Sequence, residues 1–129
     1  MTVANYCMIV AALLPVVCAA LAKSRGYGKR RREGGFDNHD PRSWLSRQTG
    51  WQARANAAQA NGFEALPLFF AGVLAAQQMH LDQGRIDLLA VSFVVLRVVF
   101  IGLYLADLAS LRSLVWVLGV ATSIALFFA

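Results

Sequence analysis

Charge is scarce in this sequence and cysteine scarcer still. Of 129 residues only 15% are charged, against about 25% in a soluble domain. A chain this short has a high surface-to-volume ratio and needs polar residues to cover itself. With 58% hydrophobic residues and a mean hydropathy of +0.54, it lacks that cover, which argues against a soluble monomer. Disorder is excluded by the same composition. Two cysteines are too few for a disulfide-stapled secreted module. Cys7 and Cys18 stand about 16 Å apart on one predicted helix, too far to bridge, and read as buried thiols. His39 and His80 are single loop residues, and no Cys/His cluster has zinc spacing. No Gly-rich phosphate loop follows a strand, because no strand is predicted. What remains is an all-α polytopic membrane protein, a single domain over residues 1–129.

The charges that exist are unevenly placed. Residues 1–22 carry none, and the run from Val3 to Ala22 is about the length that spans a bilayer. A cleaved signal peptide would want basic residues before its apolar run. Here Lys23 and Arg25 come after it, so an uncleaved first span is expected, with Pro15 kinking it. Residues 23–50 hold eight basic and three acidic side chains, and their net +5 equals that of the whole chain. Gly26, Gly28, Gly34 and Gly35 break any helix in its first half. Asp40-Pro41 reads as an N-cap followed by proline at N1, opening a short interfacial helix through Trp44 and Leu45.

Three further apolar segments follow, giving expected spans at about 2–22, 51–79, 88–106 and 112–129: a four-transmembrane-helix bundle. A polar break at 80–87 and a tight polar turn at 107–112 separate the last three. The positive-inside rule places residues 23–50 in the cytoplasm and both termini opposite. The Lys29–Arg32 cluster has no aromatic interleaving or recognition module, so it reads as anionic-lipid contact and a topology signal, with no nucleic-acid partner. Trp44 and Trp51 suit an interfacial aromatic belt, and Trp116 suits lipid better than a stack on Arg112.

Ionisable groups inside spans are costly and are functional candidates by default. Glu64 and Arg97 qualify. On the second helix Arg54, Asn61 and Glu64 fall within about 80° of one another, one polar stripe, with Gln59 off it. On the third, Arg97 and Tyr104 share a face. The simplest physical account pairs Glu64 with Arg97, so that each offsets the other's desolvation. The functional account is a pocket between helices in which Arg54, Asn61, Arg97, Tyr104 and Arg112 meet an anionic ligand, since the arginine fork suits carboxylates.

The stretch from Arg54 through Asn61, Glu64 and Pro67 to Phe69 resembles the second helix of the MAPEG family, the membrane-associated proteins in eicosanoid and glutathione metabolism. The preceding Phe36–Arg42 resembles the first-loop segment of bacterial members, and Arg97 with Tyr104 resembles the Arg-x6-Tyr pattern of the third helix. Arg112 stands where the fourth begins. The resemblance implies a homotrimer of four-helix subunits in a bacterial inner membrane, with glutathione as cofactor between subunits and a lipophilic small-molecule substrate arriving from the bilayer. It implies a glutathione transferase or peroxidase. Arg54, Gln59, Asn61, Glu64, Arg97 and Tyr104 would line the glutathione site, and Arg112 would be the catalytic residue that favours the thiolate, as fixed positive charge lowers a thiol pKa.

The chain departs from the family pattern in two places. Ala57 stands where an arginine is usual, and the aromatic or polar residue expected near the third-helix site is Phe100, which cannot hydrogen-bond. Two other readings stay open on residues alone. A small four-helix proton-coupled exporter also depends on one membrane glutamate, although such exporters place it in the first span. A non-catalytic membrane scaffold would keep Glu64 and Arg97 for packing.

Overall fold

A computed structural model describes residues 1–129 as five α-helices and no strand: α1 (Val3–Lys23), α2 (Pro41–Ser46), α3 (Gly50–Gln78), α4 (Gln83–Leu105) and α5 (Ala109–Ala125). Three 3-10 turns complete it, at Ser24–Gly26, Arg31–Glu33 and Leu126–Phe128.

Thr2 and Asn5 start α1 with a capping box. The Asn5 amide donates to Thr2 Oγ1 at 3.2 Å, and the Thr2 amide to Asn5 Oδ1 at 3.0 Å, which satisfies two otherwise orphaned donors. The helix runs unbroken through Pro15. Its buried residues Ala4, Cys7, Ala11, Pro15, Cys18 and Ala22 recur every three or four positions, one stripe on a 3.6-residue period. Both cysteines are free.

That stripe of small residues meets another on α3, where Ala55, Ala58 and Gly62 are buried. Close backbone approach between membrane helices needs such residues. At Gly62 a Cβ would stand 2.8 Å from Pro15 Cγ, so the ring of α1 fills the notch that glycine leaves. α1 packs on α3 and α4, and α5 packs on α4 and α3. The main core lies toward the end of the bundle where α1 begins and α3 ends. There the rings of Phe69 and Phe93 stack at 4.0 Å with Val73, Ile86 and Leu126 around them. At that same end Asp87 Oδ1 accepts from the Ala4 amide at 2.9 Å and from Gln83 Nε2 at 2.8 Å, while Gln77 bridges Thr2 and Asn5.

Two expectations change here. The polar residues after His80 are not all loop: α4 begins at Gln83, because the Asp82 carboxylate caps it by accepting from the Arg85 amide at 2.8 Å. Trp44 is no belt residue either. It is buried at the centre of the basic loop, edge-on to Phe36 at 5.2 Å, with Nε1 donating to Gly34 O at 3.3 Å. The short helix around it forms as expected, with Asp40 accepting from the Ser43 amide ahead of Pro41 at the first turn.

The outside of the bundle is apolar. Leu13, Val16, Val95, Val98, Leu114 and Val117 are each more than half exposed. By length and composition α1, α4 and α5, each of the first and last with its adjoining 3-10 turn, are able to cross a membrane. The 29-residue α3 is not among them, since Arg54, Asn56, Gln59, Asn61 and Glu64 dilute its first half.

Candidate functional site

Because α5 packs on the side of α3 and α4 away from α1, a groove is left among these three helices. Two adjoining cavities occupy it. One of about 210 Å³ is lined by Asn61, Glu64, Phe93, Arg97, Trp116 and Ser123 among others. The second, of about 410 Å³, is lined by Asn61, Phe100, Tyr104, Arg112, Ser113 and Trp116. Asn61 and Trp116 wall both, so the two form one cleft.

Arg97 is its anchor and is only 6% exposed. Its Nη1 donates to Asn61 Oδ1 at 3.0 Å. Its guanidinium lies over the Phe100 ring at 4.2 Å, and Nη2 is buried with no hydrogen-bond partner. The expected ion pair with Glu64 does not form: the one ion pair in the molecule joins Arg31 to Asp37. Asn61, one turn before Glu64 on the same stripe, takes the guanidinium instead. Glu64 is left exposed at the rim of the cleft. The Asn61 acceptor spares the desolvation of a second charge, which costs several kcal/mol and leaves a buried pair with little net gain.

Phe100 gives the departure from the family pattern a structural part. Its ring is the apolar platform under Arg97, and it meets Tyr104 edge-on at 5.5 Å. Arg112 in turn lies over Tyr104 at 4.2 Å. A pair of touching rings is thus flanked by a cation on each side. An arginine over an aromatic face keeps its edge donors free for a ligand. Trp116 does not stack on Arg112; it is 44% exposed and lines both cavities.

Of the seven sequence candidates, Asn61, Glu64, Arg97, Tyr104 and Arg112 come together in the cleft. The other two do not line it. Arg54 Nε donates to Leu105 O at 3.1 Å, closing the C-terminal turn of α4 beside Tyr104. Gln59 is half-buried and lines neither cavity, as its position off the stripe implies. Sequence reasoning missed Ser123 and Gly119 as cleft residues, although both follow Arg112 and Trp116 at helical spacing. It also missed Gln52, which is buried on α3 with Oε1 unpartnered.

An all-helical chain with an apolar exterior, and with two arginines lining a cleft between its helices, has the make-up of a membrane protein. The MAPEG family model matches residues 3–129, essentially the whole chain, and the chain belongs to that family. It is an integral membrane protein. No curated protein and no solved structure matches it.

Proposed function

We propose that this chain crosses the membrane four times, assembles as a homotrimer and binds glutathione in the cleft for transfer to, or reduction of, a lipophilic substrate. The observation that carries the reading is the buried Arg97 Nη2, a charged donor without a partner. Such a group is costly unless a ligand completes it. Glutathione offers two carboxylates, an amine and a thiol, and the residues present fit that set. Arg97 takes a carboxylate; Arg112 sits where positive charge favours the thiolate; Glu64 receives the amine at the rim. Tyr104 holds Arg112 in place through its ring face. The thiolate is the nucleophile that the tripeptide supplies when bound.

The fourth crossing is assigned to α3, whose polar residues belong to the cleft and to close packing against α1. A polar stripe that faces protein is compatible with a span, while one that faces lipid is not. The exposure of Glu64 and of the apolar faces supports a neighbouring subunit closing the cleft. The basic loop is placed on the cytoplasmic side by its charge, consistent with an inner membrane.

Glutathione titrated into detergent-purified protein should change tryptophan emission saturably through Trp116, and Arg97→Ala should abolish the change. No binding up to millimolar concentration, with the oligomer intact, refutes the glutathione assignment.

A further inference from the structure

The basic loop holds a second concavity, which shares no lining residue with the cleft. About 610 Å³ in volume, it is lined by Arg31, Arg32, Arg47 and Gln48, with Trp44 as its one large apolar wall and Asp37 as its one acid. The loop leaves α1 at Lys23 and re-enters the bundle at Gly50. Both anchors lie at one end of the bundle, so the loop sits at the level where lipid headgroups lie.

The concavity is built. Glu33 and Gly35 both donate backbone amides to Arg30 O at 2.9 Å, and the Gly34 amide donates to Arg31 O at 3.2 Å. Gly34 takes a φ of +86°, which favours glycine. At Gly35 a Cβ would collide with the carbonyls of Lys29 and Arg30. Trp44 and Phe36 fill the inside of this turn, and Lys23 Nζ covers Phe36 at 4.8 Å. The arginines are therefore held on a folded platform and not on a flexible tail.

Their donors are largely unused. Arg31 spends one bond on Asp37 at 3.2 Å and Arg47 one on Ser43 Oγ at 2.9 Å; Arg32 makes none. A guanidinium fork matches phosphate oxygens bidentately. We propose that Arg31, Arg32 and Arg47 form a binding site for the phosphate headgroup of an anionic membrane lipid.

The test uses the full chain in neutral detergent, titrated with phosphatidylglycerol or phosphatidylcholine, with bound lipid counted by native mass spectrometry. Phosphatidylglycerol should bind preferentially. The triple variant Arg31→Gln/Arg32→Gln/Arg47→Gln should lose about tenfold or more of that affinity. The charge-matched Lys29→Gln/Arg30→Gln/Arg42→Gln, outside the concavity, should lose less than about threefold. Arg32→Gln alone touches no partner and leaves the fold as it is, and it should show part of the loss. Gly35→Ala keeps every charge and should also weaken binding. Equal losses in the two triple variants would overturn the site in favour of a diffuse basic field, as would unchanged binding in Gly35→Ala. Inorganic phosphate bound by the same arginines, with no preference between the lipids, would overturn the lipid source.

Discussion

Arg97→Met separates the two jobs a buried arginine can have. The substitution removes the bond to Asn61, worth about 1.5–3 kcal/mol because the donor is charged, and the contact with Phe100, worth about 2 kcal/mol when desolvated. It also removes the penalty of keeping a guanidinium dry with one terminal nitrogen unpartnered, several kcal/mol in effective terms. Methionine keeps most of the apolar stem in place. Losses and relief are of similar size, so stability should stay within about 1.5 kcal/mol of the parent, a melting shift of roughly 5 °C or so in detergent. Were Arg97 instead one half of a buried ion pair with Glu64, truncation would strand a charge and cost about 3–5 kcal/mol. Glutathione affinity should fall at least about tenfold in the same variant, one charge-assisted bond's worth. Glu64→Gln, at an exposed and unpaired position, should leave melting unchanged while weakening the ligand. The assay is thermal unfolding beside ligand titration on one preparation. A collapse in stability for both variants, with coupled energies in a double-mutant cycle, would refute the geometry described for Arg97.

Three further outcomes are expected. Gly62→Ala should destabilise the bundle by up to about 2 kcal/mol, the overpacking against Pro15 exceeding the gain in helix propensity. Gly102→Ala, with nothing within 4 Å of the added carbon, should be neutral or stabilise by up to about 1 kcal/mol; equal effects at the two sites in chemical denaturation would contradict the α1–α3 contact. In the loop, the His39 amide, helped by Arg31, holds the Asp37 carboxyl below the ordinary carboxylate range. A depressed pKa adds stability above the unfolded value and loses it as pH falls through the folded one. Trp44 emission should thus be flat down to about pH 5 and change only below the carboxylate range; a transition near pH 6 that disappears in Asp37→Asn would contradict it.

Hydropathy and charge made the long helices legible, because a bilayer-length apolar run without charge has few other uses. Helical spacing also puts Asn61 and Glu64 on one stripe of the second helix and Arg97 and Tyr104 on one face of the third. What spacing could not decide was the partner of Arg97. Asn61 and Glu64 stand on one stripe about 5 Å apart along the axis, less than the reach of an arginine side chain, and only the depth at which α4 sits against α3 selects between them. Trp44 escaped for a related reason. Composition marks a tryptophan beside a span as interfacial, whereas its burial depends on a turn closed by Gly34 and Gly35. The stack of Arg112 on Tyr104 spans the break between two helices, where periodicity carries no phase.

The clamp at the start of α1 bears on time. The capping box serves the amides of Thr2 and Asn5 as soon as they exist, yet the Ala4 amide finds its acceptor 83 residues later, on Asp87. At roughly 5–20 residues per second of synthesis, the first helix waits some 4–17 s for the residue that secures its own beginning. Through that interval α1 is held by its lipid surroundings and local hydrogen bonds alone. Its final seating against α4 is therefore a late event in biogenesis, set by the arrival of the third long helix.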